Sequence, residues 1–360
     1  MQPRERLLIS AFAVLASGCA GASPESSALF SEYRAATEQR QRSREHTARA
    51  LSAPQLSRAG LIRAVLDSNP SLEAARQSWR AALERTRQAG THEDPMLMAS
   101  LAPLSLASTV GYEVELSQRI PLGGKLGAQQ ALSNAEALAV QSEWAEQRFK
   151  LAQAASDLFD DYLLAVRSLE IQAQHIELLR ALQQNLATAY SSGQVAVQSG
   201  LQAEAELARL EYQVVVFQTQ RDTAIAQLNA LLHRDPGAPL APPAAEEALT
   251  DDTDEDSAEQ LKRRPELAAA RARLHAAEAR RQVADAEYYP DLTFAASYSS
   301  MWAMPEHRFM AGVTVNLPLQ RERREAAVGE ATAMRAESES ELQSVTDDVR
   351  ASIAVARRQL

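Results

Sequence analysis

The 360-residue chain has a single cysteine, Cys19, so it contains no internal disulfide framework. It also lacks any apolar run of the roughly 18 residues that a bilayer-spanning helix needs. If it crosses lipid, it must do so as a closed barrel, because only helices and closed barrels satisfy every backbone group there. Glycine (13 residues) and aromatics (5%) are scarce for an average mixed domain. Excess positive charge is absent too: the formal net charge is -10, which argues against general nucleic-acid binding. Nor is there a catalytic constellation. His46, His92, His175, His233, His275 and His307 are scattered, with no metal-ligand spacing between any two. Asp160 and Asp161 are neighbours in a helical stretch, where adjacent residues do not face each other, and read as a solvated face. No catalytic residue, metal site or cofactor is assigned, and the chain does not read as an enzyme.

What is abundant is Ala, Leu, Gln, Glu and Arg in long uninterrupted stretches, the composition of long helices or coiled coil. At the N-terminus, Arg4 and Arg6 precede the apolar run Leu7–Leu15, then small residues, then Cys19. Residues 1–18 read as a secretory signal. Leu15-Ala16-Ser17-Gly18-Cys19 resembles a bacterial lipobox, with Ala16 where a Leu is usual and Leu15 one place earlier. The resemblance implies that Cys19 is the lipidation site and the mature N-terminus, carrying diacylglycerol and an N-linked acyl chain such as palmitate. Several buried acyl chains anchor a protein stably. Ala20 after the cysteine resembles the outer-membrane sorting address. Residues 19–57, rich in Ser, Glu and Arg, read as the lipid anchor and a tether.

An internal repeat organises the rest. Asn69-Pro70-Ser71-Leu72-Glu73-Ala74-Ala75-Arg76 matches Arg264-Pro265-Glu266-Leu267-Ala268-Ala269-Ala270-Arg271, and the same offset of 195 carries Pro95 onto Pro290. Each match opens a helix with proline in the first turn and ends before the second proline. The period then changes to two: Met96–Leu101, Tyr112–Ser117, Leu292–Tyr298 and Ala311–Leu317 read as strands, two per repeat. Both second strands close on an apolar-Pro-Leu step, at Pro121 and Pro318, an offset of 197. Helical spacing resumes from about Gly124 to Tyr190, roughly 100 Å if straight. A break follows at Ser191-Ser192-Gly193. A returning helix is expected from near Ser199, where Ser199 and Gln202 form a capping box, to Leu232. The organisation expected is a first repeat over 58–232, a Pro-rich and acidic linker over 233–260, and a second repeat over 261–360. By the offset of 197, Leu360 corresponds to Leu163, so the second hairpin is expected to stop in mid-helix, without its tip, return helix or gate residues.

Four strands cannot close a membrane barrel, since bacterial barrels start at about eight. Strands meant for lipid therefore imply several copies. Leu116-Ser117-Gln118-Arg119-Ile120-Pro121-Leu122-Gly123-Gly124-Lys125, Tyr190-Ser191-Ser192-Gly193-Gln194-Val195-Ala196-Val197-Gln198-Ser199, Leu201-Gln202-Ala203-Glu204 and Leu228-Asn229-Ala230-Leu231-Leu232, in this order, resemble the TolC-like outer membrane efflux family from about residue 60 onward. The fold that this implies is mainly α, with long coiled-coil-like hairpins and two strand pairs per chain entering a trimeric transmembrane β-barrel. The resemblance implies a homotrimer in the outer membrane with a periplasmic helical extension, working as a passive export conduit for small solutes or metal ions. Its implied partners are a periplasmic adaptor, an inner-membrane pump and outer-membrane lipid, with no nucleic acid. The adaptor-docking tip maps onto Tyr190, Gly193, Val195, Val197, Ser199 and Leu201, and the strand-to-helix junction onto Pro121, Gly123 and Pro318. The family usually has Asp at the position of Ser199. Five of the seven methionines, Met96, Met98, Met301, Met304 and Met310, lie in or beside the strands, near His92 and His307. Adaptable apolar filler accounts for them, although thioethers and imidazoles also suit soft metals, and Ser300–His307 resembles metal-ion efflux members. The competing reading is a lipid-anchored periplasmic adaptor or coiled-coil scaffold, which carries one helical hairpin between small β domains.

Overall fold

The computed structural model describes residues 24–102, 111–191, 196–244, 261, 263–302 and 304–359. Among them are seven α-helices and one four-stranded sheet. In chain order these are α1 (Pro24–Leu51), α2 (Arg58–Ser68), α3 (Pro70–Ala89), β1 (Met96–Ala102), β2 (Gly111–Pro121), α4 (Lys125–Ser191), α5 (Val197–Leu231), α6 (Pro265–Ala286), β3 (Asp291–Ser299), β4 (Phe309–Val315) and α7 (Arg321–Gln359). The motif helix–strand–strand–long helix thus occurs twice, as α3–β1–β2–α4 and α6–β3–β4–α7. The sheet is antiparallel throughout, in the order β1-β2-β3-β4, so the second strand of the first repeat pairs with the first strand of the second.

The sheet corrects one detail of the repeat. Adding 197 to both members of the pair Met96↔Ser117 gives Thr293↔Thr314, which is the pairing seen. Since the second strands already stand 197 apart at Pro121 and Pro318, this pairing puts the first strands at 197 as well, so the offset of 195 does not extend into them and Asp94 corresponds to Asp291. The two added residues fall before the strand, where α6 has 22 residues and α3 has 20.

The described residues form two compact units, each drawing on several segments. The first takes Met1–Tyr33, Arg76–Glu143 and Glu255–Leu360, and contains the whole sheet. Its helices meet through small residues: Ala269, Ala270, Ala272, Ala276 and Ala277 of α6 are buried. Ala276 and Ala279 pack with Leu132 and Ala135 of α4. Alanine at these spacings lets helix backbones approach closely, and ion pairs flank the contact, Arg280 to Glu136 at 2.7 Å and Arg273 to Glu143 at 2.9 Å. Residues 24–33 of α1 belong here. The Tyr33 ring meets buried Trp79 edge-on at 5.1 Å, and the Arg87 guanidinium lies 4.2 Å from the Phe30 ring centroid. The segment expected to be a tether is thus helical over Pro24–Leu51. Its aromatics find an apolar surface that local composition does not announce.

The second unit takes Arg34–Ala75 and Trp144–Asp254. Leu61, Val65, Phe159, Tyr162, Leu228 and Leu232 form its core. The turn between α2 and α3 is built on Asn69: its Oδ1 accepts from the Ser71 amide at 2.9 Å, and its Nδ2 donates to the Leu231 carbonyl at 3.0 Å. Asp160 accepts from Arg58 Nη1 at 2.8 Å, and that guanidinium lies over the Phe159 ring. Asp160 is therefore ion-paired rather than merely solvated. The described part of the expected linker, 233–244, is pinned to this core. Leu56 N–H donates to the Pro242 carbonyl and Ala244 N–H to the Leu56 carbonyl, at 2.9 and 2.8 Å, while Tyr162 Oη donates to the Ala241 carbonyl at 3.2 Å. Burial pushes the Tyr162 phenol above its ordinary range, while the Arg221 charge pulls it down. The acidic run Asp251–Asp256 lies outside the described residues.

Helix α5 ends in a Schellman turn: His233 N–H donates to the Ala230 carbonyl and Arg234 N–H to the Asn229 carbonyl. The left-handed position is taken by His233 itself, at φ 54°, where glycine is usual.

Candidate functional site

Three regions carry the functional expectations: the sheet, the strand-to-helix junction and the hairpin tip. In the sheet, the registers sort every side chain onto one of two faces, because directly paired residues share a face and neighbours along a strand alternate. One face holds the rows Leu97–Leu116–Ala296–Ala311, Ala99–Val114–Tyr298–Phe309, Leu101–Tyr112, Gln118–Phe294–Val313 and Ile120–Leu292–Val315. Gln118 is its only residue that is neither apolar nor aromatic. The other face holds Met98–Glu115–Ser297–Met310, Ser100–Glu113–Ser299, Met96–Ser117–Ala295–Gly312 and Arg119–Thr293–Thr314.

The apolar face is largely uncovered in the single chain: Phe309 is 73% exposed, Leu101 72% and Leu97 71%. Soluble monomers rarely leave a continuous apolar surface of this kind open. Aromatic rings cluster at the end of the sheet away from the long helices: Tyr298 lies 4.9 Å from Phe309 and 5.9 Å from Tyr112. Aromatic girdles at this level mark barrel walls at the edge of lipid. Among the described residues, the outer edges of β1 and β4 have no strand partner.

The methionines do not gather into one cluster. Met96, Met98 and Met310 stand on the polar face, while Met301 and Met304 follow β3 in the connection to β4. His92 precedes β1 at the helix end of the sheet, whereas His307 lies beyond the opposite end, its ring edge-on to Trp302 at 6.3 Å. Among the described residues, no group of three or more His, Cys, Asp or Glu side chains is placed to hold a metal ion.

The junction is tighter than its motif suggests. Pro121 ends β2 and cannot extend the ladder on its own amide. Gly123 and Gly124 then turn the chain with φ 70° and 75°, a region that L side chains avoid, before α4 starts at Lys125. A Cβ on Gly123 would come 2.1 Å from Tyr289 Cγ, so the site excludes any other residue on two grounds. Pro318 lies in the corresponding step between β4 and α7. The sequence motif gave no sign of Asp291, which is 3% exposed. Its Oδ1 accepts from Lys125 Nζ at 2.8 Å and its Oδ2 from Arg119 Nη2, while Arg119 also reaches Glu93 at 3.2 Å. A buried carboxylate of the second repeat thus ties the strand and the helix of the first. The signal that could have found it is an acidic residue just after the Tyr289-Pro290 step, but only strand order shows its partners.

At the tip, Tyr190 lies in the last turn of α4 and Val197 opens α5. Gly193 and Val195 lie outside the described residues, as does Cys19. The returning helix starts three residues earlier than the expected capping box requires. Its N-cap is Ala196, with no side-chain cap, and Ser199 sits inside the first turn, its amide bonded to the Ala196 carbonyl at 3.1 Å. Leu186, Tyr190, Val197, Gly200 and Leu201 line a shallow apolar groove of about 310 Å³, with Glu204 at its margin. Tyr190, Val197 and Leu201 are all exposed.

Residues 257–360 match the sequence model of the family described as "Outer membrane efflux protein". No curated protein sequence gives a significant match. Among solved structures, the outer membrane protein VceC from Vibrio cholerae is 21% identical over 84% of this chain and 79% of its own, with a TM-score of 0.68. The outer-membrane channel OprN is 22% identical over 84% and 74%, with a TM-score of 0.66. CusC, whose structures are described in terms of transmembrane channel formation, is 18% identical over 84% and 75%, with a TM-score of 0.68. At these identities the likeness is one of fold: a mostly helical chain with a small sheet, as in outer-membrane channels.

Proposed function

We propose that this chain is a subunit of an outer-membrane export channel, in which three copies close a twelve-stranded barrel and the helices extend into the periplasm. One observation carries the proposal: a four-stranded sheet apolar on one face and polar on the other, with both edges open among the described residues. In lipid, an open edge leaves unpaired backbone groups at several kcal/mol each. Closure with further copies removes that cost, turns the apolar face to lipid and lines an aqueous lumen with the other. The conduit is passive: nothing in the residues supplies energy, which falls to an inner-membrane pump joined through a periplasmic adaptor. The exposed groove at Tyr190, Val197 and Leu201 is the surface proposed to receive that adaptor, and the sequence motif adds Gly193, Val195 and Ser199 to it. Residues 1–18 serve as export signal and Cys19 as lipid anchor. The family match over 257–360 and the shared fold with VceC and OprN support this reading. The adaptor alternative explains the hairpin but not a second strand pair with an exposed apolar face.

The test is to purify the full chain from outer membranes, measure its mass in detergent and reconstitute it in planar bilayers. A three-chain species that conducts ions is expected. A soluble, non-conducting monomer would overturn the proposal.

A further inference from the structure

We infer that β4 of one copy pairs antiparallel with β1 of the next in one particular register, which sets Val313 opposite the next copy's Ala99 and Thr314 opposite its Met98. This rests on the three-copy assembly proposed above and specifies its seam.

The duplication supplies the register. The Pro121 and Pro318 steps set β2 and β4 at an offset of 197, and the pairing shared by the two hairpins, β1–β2 and β3–β4, then sets β1 and β3 at the same offset. The strand β4 is therefore the counterpart of β2, and β1 the counterpart of β3. Within the chain, β2 meets β3 with Leu116↔Ala296 and Ser117↔Ala295. Moving each member to its counterpart gives Val313↔Ala99 and Thr314↔Met98. The senses agree, since β4 runs back toward the long helices as β2 does and β1 runs away from them as β3 does.

Three further features fit this register. It pairs Met310–Val315 with Ala102–Leu97; a slip of two residues that sets Val313 opposite Leu101 shortens this overlap, and the opposite slip, which sets Val313 opposite Leu97, keeps the overlap but flattens the strand tilt to about 20°. It keeps Val313 and Val315 on the same face as Ala99 and Leu97, so the apolar band continues across the seam; a slip of one residue would turn that band inward. It also sets a realistic barrel. A row that enters at Met98 leaves at Met310 and re-enters the next copy at Ala102, four residues along. Four residues at roughly 3.3 Å over four strand spacings of roughly 4.8 Å give a tilt of about 35°, inside the usual range for membrane barrels of about 35–45°.

Engineered cysteines test this in the full chain in its native membrane. Paired positions in an antiparallel ladder have Cα atoms about 4.5–5.5 Å apart, within the disulfide span of about 4.4–6.8 Å. Val313→Cys with Ala99→Cys, and Thr314→Cys with Met98→Cys, cover the two kinds of ladder position. Under mild oxidation at least one of these double variants is expected to give two- and three-chain bands on a non-reducing gel. Each single variant, which also carries Cys19, is expected to run as one chain. Val313→Cys with Leu97→Cys, displaced by two residues into the register of equal overlap, is expected not to cross-link. A three-chain mass for the unmodified protein, with cross-linking only in the displaced variant or in neither predicted one, would overturn the register while leaving the assembly standing. A one-chain mass would overturn both.

Discussion

Replacing Asp291 by Ala removes the acceptor that holds Lys125 and Arg119 at the strand-to-helix junction. The two losses differ. Arg119 is 47% exposed and keeps Glu93, so water and that carboxylate recover most of its bond. Lys125 is only 13% exposed, and its remaining neighbour, Glu287, lies 3.9 Å away. A hydrogen bond to a charged group contributes about 1.5–3 kcal/mol, and stranding a buried partner adds to that. Counting Lys125 in full and Arg119 at a fraction for its exposure gives a loss of roughly 2–4 kcal/mol. Urea unfolding of the purified protein, followed by tryptophan fluorescence, measures it. The variant Lys125→Met alone is expected to cost less than Asp291→Ala, because the buried carboxylate keeps its bond to Arg119. The double variant is then expected to lose at least about 1 kcal/mol less than the sum of the singles. An Asp291→Ala midpoint within about 0.5 kcal/mol of wild type, or strict additivity, would refute the clamp.

Three other outcomes are expected. Gly123→Ala meets both a left-handed backbone and the Tyr289 ring, and should lower stability by about 1–3 kcal/mol in the same assay. His233→Gly relieves the left-handed position at the end of α5 and should raise stability by roughly 0.5–1 kcal/mol. Tyr162→Phe should cost about 1 kcal/mol near neutrality by removing the bond to the Ala241 carbonyl. Because the folded phenol titrates above its unfolded value, its contribution is fully present below about pH 10 and is lost as pH rises through the folded value. The alkaline decline in stability should therefore be shallower in the Phe variant, and a curve parallel to wild type from pH 8 to 11 would count against the burial of this group.

Local sequence was informative wherever a period or a breaker residue acts on its own neighbours. The strands at Met96, Tyr112 and Leu292, the long helix ending near Tyr190 and the proline steps at Pro121 and Pro318 appear where the patterns put them, while β4 runs over Phe309–Val315, two residues before the expected Ala311–Leu317. The parity that sends Met96, Met98 and Met310 to the polar face was also present in the sequence, since each alternates with residues of the apolar face. The start of α5 was missed because a capping box matched at Ser199, while backbone geometry chose Ala196, which offers no side-chain cap.

The sequence by itself determined the duplication, the element types and which side of each strand is apolar, because these depend on intervals of two to four residues and on a repeat. Only the tertiary structure decided that β2 lies against β3. From that one long-range choice follow the Asp291 clamp, the uninterrupted apolar face and the two open edges. Residues separated by more than 160 positions meet there, and no local period encodes which strand will be the neighbour.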